Sequence, residues 1–197
     1  MKRETKRQIT AMFILLIFAG SSIAYAFSFF VPQSPTANAI KGSHSAGVGR
    51  LGSTHEHVDF KVYIEGQQID FSQERYQVRS QFIHVEDGDG DIIHIHATGE
   101  TIGFFFDTVD ISFTSECIIV DSGLETEQRY CTAGDKTLKF YVNGEPNILY
   151  DDYLLKDLDK ILVSYGSETE EQIQEQLNSI TDKAATQSGE SGPLPFT

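Results

Sequence analysis

The chain has 197 residues, a formal net charge of −14 at pH 7 and an isoelectric point of about 4.7. A phosphate-tracking surface needs a basic patch and none is visible, so the balance excludes nucleic acid as an expected partner. There is no tryptophan, but 14 Phe and 8 Tyr supply enough large apolar side chains for one folded domain.

Residues 1–8 form a basic stub with Lys2, Arg3, Lys6 and Arg7, and residues 9–31 then run through AMFILLIFAGSSIAYAFSFF almost without a polar break. An apolar run of about 20 residues spans the hydrocarbon of a bilayer, and bases on its N-terminal side leave the rest of the chain outside the cytoplasm. The expectation is a cytoplasmic stub and a single-pass signal-anchor at the cell membrane. A cleaved signal peptide is the alternative, because Ala24-Tyr25-Ala26 offers a small-x-small site; the apolar run continues past it to Phe30. Setting aside the four bases and Glu4 leaves 11 Lys+Arg against 28 Asp+Glu in the exported part, a net of −17. That acidity is mainly a statement about solubility. Residues 32–54, rich in Gly, Ser, Pro and Ala, read as a flexible linker in which His44 is a solvated residue.

Residues 55–166 form the expected extracytoplasmic β-rich domain. From His55 the chain alternates strictly, with Val58, Phe60, Val62 and Ile64 on one face of a strand and His55, His57, Asp59, Lys61 and Tyr63 on the other. Glu65-Gly66 predicts a turn and residues 68–71 a returning strand. Residues 81–86 and 92–97 then flank Asp87-Gly-Asp-Gly-Asp91, which predicts a hairpin with a Gly-rich loop. Its apolar face is Ile83, Val85, Ile93 and Ile95; its polar face is His84, Glu86, His94 and His96. Residues 101–110, with bunched aromatics, predict one short helix. Strands follow at 117–121, 129–131, 138–142 and 160–165, with Asn143-Gly144 as a strong turn signal. In the tail, Ile173, Leu177 and Ile180 fall at helical spacing, so residues 167–184 predict a C-terminal helix docked by one narrow stripe, and residues 185–197 a disordered end. The fold class expected is α+β: a mostly antiparallel sheet with one short packed helix, in a β-grasp-like arrangement.

Histidine placement carries the functional signal. Residues i and i+2 on a strand project the same way, so His55-x-His57 and His94-x-His96 are chelating pairs. If the loop turns at Gly88-Asp89-Gly90, His84 faces His94. His84, His94 and His96 then make a three-nitrogen set of the kind that leaves a fourth position open on zinc. His55 and His57 assist if their strand joins the same sheet. Imidazole suits Zn or Cu, and no thiolate or Met suggests a blue-copper site. Glu86 and Asp59 share these faces and could orient the imidazoles or accept protons. A calcium reading of the acidic loop fails at two positions of the EF-hand pattern, where Ile92 replaces Gly and Thr98 replaces Glu.

Cys117 and Cys131 suit an exported domain as a single structural disulfide, and C-x-x-C redox spacing is absent. Taken together, HEHVDFKVYI, IDFSQ, HVEDGDGDIIHIHATG, TLKFYVNG and LDKILVSYG resemble a poorly characterised, mainly archaeal family of membrane-anchored, exported His-rich proteins, sometimes labelled protein-disulfide isomerase. That label implies thiol chemistry, here through Cys117 and Cys131. Some relatives in that family carry two further cysteines after the C-terminal helix, where this chain has Ala185 and Ser191. The leading expectation is a membrane-anchored metal-binding domain without a nucleophile motif for catalysis. The others are a thiol-disulfide oxidoreductase, and an interaction module whose C-terminal helix meets a protein partner.

Overall fold

A computed structural model describes residues 47–121 and 127–187 of the chain. The expected stub, signal-anchor, most of the linker and the last ten residues lie outside the described residues. Among the described residues no helix is long and apolar enough to cross a membrane.

The alternating segment after the linker forms β1 (Glu56–Ile64), and it sits at the centre of the sheet. Glu65 and Gly66 turn the chain with φ of 50° and 76°, a pair of positive values that a two-residue hairpin turn demands and Gly grants freely. The return strand is short, β2 (Gln67–Gln68). The hairpin follows as β3 (Ile83–His84) and β4 (Ile92–Ile95), with His84 directly opposite His94 as its sequence predicts.

The short helix is α1 (Ile102–Thr108), started by Thr101, whose side chain accepts a hydrogen bond from the Phe104 amide at 3.0 Å. Next comes a strand not predicted from the sequence, β5 (Ile111–Phe113), which pairs with β6 (Cys117–Val120), itself paired with β7 (Gln128–Cys131) in a separate three-stranded sheet. Cys117 and Cys131 face each other across β6 and β7 and are joined by a disulfide. The chain returns to the main sheet with β8 (Thr137–Val142), β9 (Glu145–Pro146) and β10 (Lys160–Gly166).

Among the described residues the main sheet runs β3-β4-β1-β10-β8-β9, with β2 beside the far end of β1. It is mixed: β1 and β10 are parallel, and the other named pairs are antiparallel. The fold is α+β, with mixed and mostly antiparallel sheets and a C-terminal helical segment.

One face of this sheet carries Val58, Phe60, Val62, Ile93, Ile95, Phe140, Ile161 and Val163, packed under α1 and the small sheet. Aromatic rings knit it together, Phe60 lying 5.0 Å from Phe71 and 5.2 Å from Phe105 between centroids. On the opposite face Leu162 is covered by the tail helix α2 (Glu170–Asn178), through Ile173 with Leu177 beside it, and by Ile180 just beyond it. A capping box between Thr169 and Gln172 begins α2. The single predicted helix is therefore broken: the chain turns after Asn178 and resumes as α3 (Lys183–Gln187), which enters the tail read as disordered from 185. Asp59 of β1 explains the break. Its carboxylate accepts hydrogen bonds from the Thr181 hydroxyl and from the amides of Lys183 and Ala184, the two amides at 3.1 Å, and so fixes the chain reversal to the sheet.

Candidate metal centre

Register across three strands assembles the histidines. On β1 and β4, His57 stands opposite His94, and on β3 and β4, His84 stands opposite the same His94, so these three form a row across the sheet. His55 and His96, each two residues from a member of that row, extend it by one step along the strands on the same face. The result is a closed circuit of five imidazoles. Ring centroids are 4.7 Å apart for His55–His57, 4.8 Å for His57–His94, 6.0 Å for His94–His84, 5.0 Å for His84–His96 and 5.0 Å for His96–His55.

The tightest convergence differs from the hairpin trio His84, His94 and His96 expected from the sequence. Donor atoms of His55, His57 and His94 lie within 4.8 Å of one another. Two of these three, His57 in β1 and His55 just before it, belong to the pair that sequence spacing assigns only an assisting part. The cause is the β1–β4 pairing, which places the i, i+2 pair of one strand over the other. Both H-x-H pairs do lie in one sheet, and His84 and His96 complete the circuit beside this trio.

Burial is graded across the group. His57, His84 and His94 are 2 %, 6 % and 6 % exposed, whereas His55, His96 and Glu86 are half-buried. The cluster thus has a buried floor and an accessible rim. Burial lowers the pKa of His94 to about 4 against the opposing pull of Glu86, and the imidazoles of His57, His84 and His96 add to the shift. Burial also lowers His57, with His55 contributing, and lowers His96, with His84 and His55 contributing. Neutral imidazole is the metal-ligating form, so these groups stand ready without losing a proton.

Glu86 lies against the hairpin side of the circuit. Its Oε2 is 3.2 Å from Nε2 of His84, and its Oε1 is 3.4 Å from Nδ1 of His94. Although burial opposes its charge, the neighbouring His94 and His84 hold Glu86 below the usual carboxylate range. Nδ1 of His94 is buried and makes no hydrogen bond, the kind of orphaned nitrogen that a cation would satisfy. His84 is oriented from its other side by the Ser80 carbonyl, 2.7 Å from Nδ1.

Asp59 is 2 % exposed and on the same face of β1, but its oxygens engage Thr181, Lys183 and Ala184. Its work is to hold the tail. The residue that meets β1 at the histidines is instead Asp157, whose Oδ1 accepts the His57 amide proton at 3.0 Å. One hundred positions separate the two, so only the fold could reveal the contact. In the acidic loop, Asp91 pairs with Lys61 at 2.5 Å, and Lys183 reaches Asp89 at 2.7 Å and Asp91 at 3.2 Å. Lysine ammonium groups thus occupy the place where a calcium reading would put the ion.

Three neutralisable nitrogens converging with a carboxylate nearby can hold a transition-metal ion and leave a coordination position open. No family model, curated protein or solved structure matches the chain. The reading of function therefore rests on the chemistry of this face.

Proposed function

We propose that the protein is a membrane-anchored, extracytoplasmic domain that captures a transition-metal ion, Zn or Cu, through His55, His57 and His94, with His84 and His96 beside them. The observation that carries the reading is the convergence of three imidazole donors within 4.8 Å on two adjacent strands. An ion bound by all three at about 2.0–2.1 Å draws the nitrogens to about 3.3 Å apart, which asks the rings to turn toward one another. The half-buried rim at His55 and His96 supports entry and release, so metal capture or delivery fits better than a sealed structural site.

The apolar run at residues 9–31 supports tethering of this domain to the outer face of the cell membrane. Parallel β1 and β10 at the centre of the sheet, with α1 across one face, support a β-grasp-like arrangement. The place of Cys117–Cys131 as a directly opposed pair in β6 and β7 supports a bracing part for the disulfide rather than turnover. A partner at the C-terminal helix would meet the outer side of α2, because Ile173 and the following Ile180 already pack on the sheet.

The test is metal content and affinity of the full chain, isolated without chelator, beside His55→Ala. His55 is the half-buried member of the trio, so its loss leaves the buried floor intact. Bound Zn or Cu in the parent and an affinity at least tenfold lower in the variant are expected. A parent that takes up neither metal after reconstitution removes the reading.

A further inference from the structure

We propose that the imidazole circuit holds a second transition-metal ion, bound by His84, His96 and Glu86 beside the ion at His55, His57 and His94, with the Glu86 carboxylate bridging the two. The proposal rests on the metal-binding reading above and extends it from one ion to two.

Donor number is the first argument. A tetrahedral ion takes four ligands, whereas this face gathers five imidazoles and a carboxylate. Once His55, His57 and His94 serve one ion, His84 and His96 remain with centroids 5.0 Å apart.

Hydrogen-bond logic at His84 is the second. Its Nδ1 lies 2.7 Å from the Ser80 carbonyl oxygen, and a carbonyl only accepts, so Nδ1 carries the proton. Its Nε2 faces Oε2 of Glu86 from 3.2 Å. A carboxylate also only accepts. The contact is closed either by a proton on Nε2 or by a metal ion ligated by both atoms, and the donor number and the second carboxylate oxygen favour the ion. Two donors that bind one ion at about 2.0–2.2 Å near the tetrahedral angle stand about 3.3–3.6 Å apart, close to this separation.

The carboxylate's other oxygen supplies the third argument. Oε1 lies 3.4 Å from Nδ1 of His94, a buried nitrogen with no hydrogen bond. One oxygen of Glu86 therefore faces the hairpin pair and the other faces the trio, as a bridging carboxylate would. His96 sits at the seam, 5.0 Å from both His84 and His55. Dinuclear sites place their ions about 3.5–4 Å apart, a spacing that a bridge of this size sets.

The experiment is metal titration of the full-length chain with Zn(II), followed by removal of loose ions and counting of those retained. Two ions per chain are expected in the parent, falling to one in Glu86→Gln and in the double variant His84→Ala/His96→Ala. One ion in the parent overturns the second site, leaves the first standing and makes the His84–Glu86 contact an imidazolium–carboxylate pair only. None overturns both. Two ions that survive both variants place the second elsewhere and overturn this assignment. A measurement on the unaltered chain covers the case of a misfolded variant: two equivalents of Cu(II) should give a spin-coupled pair by electron paramagnetic resonance. Two independent mononuclear signals overturn the bridge.

Discussion

The two faces of β1 are built from alternate residues of one strand and are closed by opposite means. Val58, Phe60 and Val62 are fully buried by apolar neighbours, whereas His57, Asp59 and Lys61, between 2 % and 9 % exposed, are buried among polar groups. Apolar burial is non-directional and stabilises in proportion to area. Polar burial destabilises unless each group finds a partner. On the second face Asp59 and Lys61 have theirs, in the tail and in Asp91, while Nδ1 of His94 makes no hydrogen bond. One unmet requirement falls within the histidine cluster, where a ligand would supply what the chain does not.

Substitutions on the two faces should therefore fail differently. The largest effect is expected on the apolar face: Phe60→Ala opens a cavity beside Phe71 and Phe105, with a loss of about 3–5 kcal/mol by denaturant unfolding. If the loss were under about 1 kcal/mol, the apolar face would not be the main source of stability.

Cys117→Ser/Cys131→Ser comes next, with a loss of about 3 kcal/mol from a 14-residue separation. Metal affinity should be unchanged, since the bridge lies in the other sheet. An affinity that falls with the disulfide would revive a thiol role.

Asp59→Asn should cost less in global stability and more locally. Hydrogen exchange at residues 179–187 should accelerate while β1, β8 and β10 stay protected. Equal protection in both proteins would remove Asp59 as the anchor of the tail.

Two pH effects of opposite sign follow. His57, His94 and His96 lie below their unfolded value of 6.5, His94 at about 4, so between those values the unfolded chain binds more protons. The stability they contribute is present above pH 6.5 and is lost as pH falls toward 4. Glu100, pushed up to about 7 by burial from 4.5, acts the other way: the folded chain binds the extra proton, and stability falls as pH rises from 4.5 through 7. Unfolding of the metal-free chain against pH should show Glu100→Gln removing the second trend and leaving the first. Unchanged profiles would refute the Glu100 assignment.

The smallest effect belongs to the surface. Arg79→Ala removes an exposed ion pair with Asp110 and should leave the unfolding midpoint within about 0.5 kcal/mol of the parent.

Much of the fold is legible because alternation is a strong signal in β1, β4, β8 and β10, and the bunched phenylalanines mark α1. Ile111–Phe113 escapes because three residues carry no period, and β5 exists only through its pairing with β6. The tail reads as one helix because Ile173, Leu177 and Ile180 keep helical spacing; a carboxylate more than one hundred positions away breaks it. For the site, H-x-H spacing names all five histidines, and hairpin register places His84 opposite His94. The trio His55, His57 and His94 depends on β1 pairing with β4 rather than on local sequence. Asp59 shows the limit of reading by face: it shares the histidines' side of the strand but serves the C-terminal segment.

The most direct measurement is X-ray absorption at the zinc edge, on the full chain loaded with one equivalent. Imidazole nitrogens at about 2.0–2.1 Å should dominate the first shell, and His57→Gln/His94→Gln should replace them with oxygen donors. A shell made of oxygen alone in the parent would contradict the histidine site.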